Sequence, residues 1–148
     1  MQCNNCGVEL KAENSVCPSC QVLITDGLNK TLASPARRLM AFLLDYGVML
    51  FGVFLTALDP VFAFLIILIG FIQLFMLFKS TTLGKSILGM KVYQKDGEPV
   101  GFLKMLLREI FGKTISGMIF SLGYIWILID DENQAWHDKF IDSLVLKT

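Results

Sequence analysis

The sequence predicts an all-α membrane protein carrying a small four-cysteine head, and three observations carry that prediction. Two apolar runs, Leu39 to Leu58 and Val61 to Phe78, each have close to the ~20 residues that a bilayer crossing needs. Apolar residues make up 54% of the 148-residue chain, mean hydropathy is +0.60, and the excess lies after Leu39. All four cysteines precede Gln21, paired as Cys3-Asn-Asn-Cys6 and Cys17-Pro-Ser-Cys20. The formal net charge is zero, so no overall basicity argues for a nucleic-acid partner.

Two Cys-x-x-Cys knuckles at this spacing bring four thiolates from two tight turns onto one tetrahedral ion, the geometry zinc takes in closed structural sites. Iron fits the same ligands and is the lesser expectation. Residues 1–21 have few apolar side chains to bury, so metal ligation would supply most of their folding free energy. Four ligands leave no open position for catalysis. The stretch resembles the small zinc ribbons found at the ends of many microbial proteins. No apolar signal-peptide core precedes the cysteines, so the amino terminus is expected to stay cytoplasmic.

Residues 22–36 read as a polar linker, with Asp26, Gly27, Asn29, Lys30, Thr31 and Ser34. Leu23, Leu28 and Leu32 are expected to rest on the membrane surface. Ser34-Pro35 is a helix start, serine as N-cap and proline in the first turn. In the first span the exception is Asp45, which shares a helix face with Arg38 and lies about 10 Å deeper. A carboxylate there costs about 2.5 to 3.5 kcal/mol on insertion scales, so it needs a partner.

Asp59-Pro60 ends the first span and opens the second, in which Gln73 reads as a packing contact. No lysine or arginine lies between Leu39 and Phe78. Lys30, Arg37 and Arg38 precede the hairpin, and Lys79, Lys85, Lys91 and Lys95 follow it. The positive-inside rule therefore puts both hairpin ends in the cytoplasm of a multi-pass inner-membrane protein.

Gly84-Lys85-Ser86 imitates the end of a phosphate-binding loop, but Lys79 stands where that motif needs a glycine, which excludes nucleotide binding here. The expectation is a short interfacial helix with Leu83, Ile87 and Leu88 toward lipid and Lys85 toward head groups. A strand over residues 90–93 and a turn at Lys95 to Glu98, around Asp96-Gly97, follow. Phe102 to Phe111 reads as an amphipathic interfacial helix with Phe102, Leu103, Leu106, Leu107, Ile110 and Phe111 on one face and Lys104, Arg108 and Lys113 elsewhere. Ile115 to Ile129 is either part of a tilted third span or a re-entrant piece, with Gly112, Ser116, Gly117 and Ser121 allowing close helix contact.

Asp130, Asp131 and Glu132 read as a solvated loop rather than a cation site. His137 is the one histidine, which excludes a histidine-based metal or triad site within the chain, and Trp136 reads as an interface anchor. Residues 143–147 alternate as a strand does. Pairing with residues 90–93 would hold the tail on the cytoplasmic side.

From Pro35 onward the chain resembles the RDD family of small bacterial membrane proteins. The likeness rests on Arg38-x-x-Ala41-x-x-x-Asp45, on Thr82-Leu-Gly84-Lys85-x-x-Leu88-Gly89-x-Lys91-Val92 with Asp96-Gly97 after it, and on His137-Asp138 before a strand. It implies an RDD-type transmembrane domain over residues 37–148. It also implies that the family's arginine and two aspartates are Arg38, Asp45 and Asp138, with Arg37 a second candidate for the arginine. A transport role is suggested for the family.

Two functional readings follow. In one, Asp45 alternately holds a proton and a small cation, and ions or small solutes pass through a homo-oligomer, since two clear spans hardly enclose a pathway. In the other, the charges hold the bundle together and the ribbon docks a cytoplasmic protein, making the chain an adaptor. No nucleophile or acid-base pair stands out, so no enzymatic activity is expected.

Overall fold

Pro35 opens the longest helix, α1 (Pro35–Leu58), because its fixed φ suits a first turn and its missing N–H has no partner to lose there. Ser34 takes the extended N-cap conformation, but its hydroxyl caps nothing. At the far end Asp59 leaves the helix and accepts the Val61 N–H at 2.9 Å, and a 3-10 turn over Pro60–Phe62 reverses the chain into α2 (Ala63–Phe78). The two helices touch at Gly52, where a Cβ would lie 3.3 Å from Ile66 and 3.4 Å from Ile69. Their outer faces are bare hydrocarbon: Phe51, Phe54 and Leu58 on α1, Phe64, Phe71 and Phe75 on α2. An apolar surface of this extent suits lipid and not water, and α1 and the run Pro60–Phe78, which is α2 with the turn before it, are each long and apolar enough to cross a membrane.

The hairpin returns the chain to the end where α1 began, and a polar end is built there. The computed structural model describes residues 2–3, 5–9, 16–17, 19–24, 30–112, 114, 126–130 and 132–148. After α2 come α3 (Leu83–Ile87), β1 (Met90–Gln94) and α4 (Phe102–Leu107), the last widening into a π-type turn over Arg108–Gly112. A 3-10 turn at Trp126–Leu128, α5 (Trp136–Lys139) and β2 (Ser143–Lys147) complete the described elements. β1 and β2 are antiparallel, with Met90 opposite Lys147 and Gln94 opposite Ser143, so the expected strands do pair. Between β1 and α4, Gly97 takes φ +92° in the Asp96-Gly97 turn, a conformation that favours glycine.

β2 is paired on both edges. The Ala33 N–H donates to Val145 O at 2.8 Å and the Lys147 N–H to Thr31 O at 2.9 Å. The ladder then continues outward: Leu32 N–H to Gln21 O at 2.8 Å, Leu23 N–H to Lys30 O at 3.0 Å, and Cys17 N–H to Val22 O at 2.9 Å. Strand alternation sorts the side chains into two clusters. Val145 joins Ala33, Ala41, Leu77, Met90, Val92, Val100 and Met105, while Leu144 and Leu146 join Val16, Leu23, Leu32 and Tyr93.

These contacts correct the linker reading of residues 22–36. Val22, Leu23, Thr31 and Leu32 form isolated β-bridges beside the two-stranded sheet, and Leu23 and Leu32 are buried on Tyr93, Leu144 and Leu146 instead of lying on the membrane. Asp26, Gly27, Leu28 and Asn29 lie outside the described residues. In α4 the outward face is the apolar one that an interfacial helix requires, but Arg108 is turned inward instead of toward water. Leu103, Lys104, Leu107 and Ile110 are exposed, whereas Met105 and Arg108 are buried. A helix beside lipid turns its apolar stripe outward and its polar residues toward protein partners. The question of a tilted or re-entrant segment, with Ser116, Gly117 and Ser121, falls outside the described residues.

Candidate functional site

Arg38, Ala41 and Asp45 recur at three and four residue steps and form the buried stripe of α1. The helix that covers this stripe is α3, and Gly84 permits the approach. A Cβ on Gly84 would stand 2.2 Å from the Ala41 carbonyl oxygen. At that distance the Gly84 N–H donates to Asp45 Oδ1 at 2.7 Å and the Thr82 hydroxyl to Oδ2 at 2.6 Å. Gln73 completes the site from α2. Its Nε2 donates to Asp45 Oδ1 at 3.0 Å, and its Oε1 accepts the Leu83 N–H at 3.2 Å. The partner demanded by the carboxylate is thus a set of neutral donors. Gln73 is a bridge between α1, α2 and α3, more than the packing contact the sequence suggested.

Arg38 turns to a different carboxylate. Its Nη2 bonds Asp138 Oδ2 and its Nη1 bonds the Asn133 carbonyl. Arg108 takes the other oxygen of Asp138, through Nε at 2.8 Å and Nη2 at 2.6 Å, and the Ala135 N–H donates to Oδ2 at 3.1 Å. The chain of charges continues through Arg108 Nη1 to Glu109 Oε1 at 3.0 Å and from Glu109 to Lys85 Nζ at 3.2 Å. Lys85 is therefore buried in an ion pair, where the sequence pointed it to head groups. Arg37 is exposed, which leaves the arginine position to Arg38.

Burial alone would raise the Asp138 carboxyl, but Arg108 and then Arg38 hold it well below the usual carboxylate range. Burial pushes the neighbouring His137 down to about 3 although Asp138 pulls the other way, so the imidazole is neutral at ordinary pH. Of the acidic loop, Asp130 is bonded by Lys139 and by the Gln134 N–H, and Glu132 pairs with Lys95 at 2.7 Å. Asp131 lies outside the described residues. Trp136 stands beside Trp126, ring centroids 6.3 Å apart.

Arg108, Glu109, Thr82 and Gly84 thus join the sites without having been singled out for them. One signal for Arg108 was present: Leu103, Leu107 and Ile110 make a lipid-facing stripe, and a cation on the opposite side of such a helix must face protein.

At the head, the four cysteine sulfurs lie within 4.8 Å of one another, with Cys3 and Cys20 at 3.6 Å and Cys6 and Cys17 at 3.5 Å. A tetrahedral tetrathiolate with metal–sulfur bonds near 2.3 Å has sulfur–sulfur edges of about 3.8 Å, so this donor set fits one ion. The two knuckles repeat one backbone pattern. Gly7 N–H returns to Cys3 O at 2.9 Å as Gln21 N–H returns to Cys17 O at 2.8 Å, and Gly7 and Gln21 both take positive φ. As thiols the cysteines share protons: the Cys20 N–H leads in bringing the Cys17 thiol down to about 6, while Cys6, against the pull of the Val8 backbone, is pushed up to about 12 by burial and the neighbouring thiols.

A lipid-facing helical hairpin, an ion-paired polar end and a cysteine cluster able to hold a metal ion define a small membrane protein with a metal-site head. The chain belongs to the RDD family, whose profile matches residues 32–142. It is also similar to the uncharacterized protein YckC of Bacillus subtilis (strain 168), 33% identical over 120 residues that span 73% of this chain and 80% of that one. No solved structure matches it. The family match begins at Leu32, in the strand that lies along β2, and leaves the cysteine head outside it.

Proposed function

We propose that the chain is a small transport-type protein or subunit of the bacterial inner membrane, moving ions or small solutes as a homo-oligomer, with a zinc-loaded ribbon and both hairpin ends in the cytoplasm. The observation that carries this reading is Asp45. It is an acid on an apolar helix, held by a hydroxyl, a backbone amide and a side-chain amide that carry no full charge. Such a carboxylate can receive a small cation without breaking an ion pair. Arg38, Arg108 and Asp138 are the fixed frame around it. Zinc is favoured for the head because four thiolates in a closed tetrahedron suit it, and no catalytic role is assigned to the ion.

A second reading draws on the complete pairing of Asp138. There the buried charges hold the fold, and the ribbon docks a cytoplasmic protein. Ion and proton flux in proteoliposomes, comparing the intact chain with Asp45→Asn after circular dichroism has verified folding, tests the first reading. Flux lost in the folded variant supports a pathway through Asp45. No flux from either protein under sodium, potassium or proton gradients transfers the assignment to the adaptor.

A further inference from the structure

The two partners of the Arg38–Asp138 pair hang from neighbouring strands. Arg38 lies five residues after Ala33, and Asp138 five residues before Ser143, whose hydroxyl donates to the Asp138 carbonyl at 3.4 Å. Ala33 and β2 are joined directly by the Ala33 N–H to Val145 O bond. Only Ser34, at φ −62° and ψ 151°, stands between the bridged residues and the first residue of α1, and the Arg38 N–H already bonds Ser34 O at 3.1 Å. There is no slack in this connection. Wherever residues 31–33 sit, the first turn of α1 must follow.

What holds residues 31–33 comes from two sides. On one side is β2. On the other is the second cysteine knuckle, through Leu32 N–H to Gln21 O, Leu23 N–H to Lys30 O and the burial of Leu23 and Val16 against Leu32, Leu144 and Leu146. Lys30 adds a bond to the Tyr93 hydroxyl and lies over its ring at 4.0 Å. Between Val16 and Val22 the turn itself is held by its two cysteines, so the position of Gln21 depends on the ion they hold. Without it, three residues would remain as an unsupported edge strand, which is marginal in stability.

We propose that metal occupancy of the cysteine site controls the seating of the first span: the loaded ribbon clamps residues 31–33 onto β2 and so keeps Arg38 on Asp138, and metal loss releases both. The proposal rests on the ribbon's holding a metal and is independent of any cargo. The head thereby serves as an intracellular metal or thiol-state sensor for the membrane domain, reading the ion through a continuous backbone ladder.

Hydrogen exchange on the full chain in lipid nanodiscs, zinc-loaded and then chelator-treated, tests it, with zinc content measured in parallel. The expected result is one zinc per chain when loaded and, on removal, a loss of protection of about tenfold or more at the Leu32, Ala33, Arg38 and Lys147 amides. The double variant Cys17→Ser, Cys20→Ser should show the unprotected pattern from the outset. Leu23→Ala should keep zinc but lose the zinc-dependent change at Ala33, because its contact with β2 is cut. Zinc binding with changes confined to residues 2–24 would overturn the coupling, as would an undiminished response in Leu23→Ala. Absence of bound metal would overturn the metal reading beneath it.

Discussion

Asp45 and Asp138 are both buried carboxylates reached from α1, yet they are held by opposite means. Asp138 receives two guanidinium groups and a backbone amide, whereas Asp45 receives a hydroxyl, a backbone amide and a glutamine amide. A buried carboxylate between two arginines is locked as an anion, since neither partner can leave without stranding a charge. A carboxylate among neutral donors is fixed in position without an ion pair that must be broken to move it. The two acids join different parts of the chain: Asp138 ties α1 to the residues before β2 through two arginines, and Asp45 ties α1 to α2 and α3 through neutral donors.

The sharpest way to break this contrast is at Arg108. Arg108→Gln should destabilise the fold by about 3 to 5 kcal/mol, the usual cost of stripping one partner from a buried pair. Denaturant titration in detergent measures it, and a cost below that of Gln73→Leu would reverse the ranking of the two sites. Next is Gly84→Ala, which sets a methyl 2.2 Å from the Ala41 carbonyl oxygen, backbone against backbone. Its cost should lie near the top of the overpacking range, about 3 kcal/mol, and near-neutral behaviour would show that α3 can withdraw from α1.

Acid sharpens the comparison from the Asp138 side. His137 has a folded pKa of about 3 against an ordinary value of 6.5. Between those values the unfolded chain binds a proton that the folded chain refuses, so stability falls as pH falls. The slope is at most about 1.4 kcal/mol per pH unit, or about 2 kcal/mol from pH 6.5 to 5. Asp138 adds nothing in that window, because a depressed carboxylate keeps its contribution until pH falls below the ordinary carboxylate range toward its own lower value. Stability measured against pH should flatten there in His137→Gln, and an unchanged slope would place the titrating group elsewhere. The smallest effect belongs to Gln73→Leu, about 1 kcal/mol for two neutral hydrogen bonds, read by the same titration.

Local features were legible in the sequence where neighbours in the chain are neighbours in space. Asp59-Pro60 marked the hairpin turn, the cysteine spacing marked the cluster, the Asp96-Gly97 turn followed the short run that forms β1, and alternation marked β2. The family likeness named Arg38, Asp45 and Asp138. It did not say which arginine meets which aspartate, because Arg38 and Asp138 are 100 residues apart and helical periodicity fixes a face without naming what covers it. Arg108 and Lys85 were misread for another reason. Charged residues on short helices ordinarily face water, and here the lipid side is taken by Leu103, Leu107 and Ile87. The linker failed similarly: Leu23 and Leu32 alternate over too short a stretch to announce a strand, and only β2 gives them one.

The 100-residue span between Arg38 and Asp138 also has a consequence for biogenesis. At about 5 to 20 residues per second, a ribosome finishes Arg38 some 5 to 20 seconds before its carboxylate exists. Throughout that interval the hairpin enters the bilayer with a cation that has no acid to meet, and residues 31–33 wait for a strand not yet made. The fold closes only as Asp138 and β2 emerge. Nonsense codons after the second span would therefore leave an inserted but unlatched protein, the kind of substrate that membrane quality-control proteases remove.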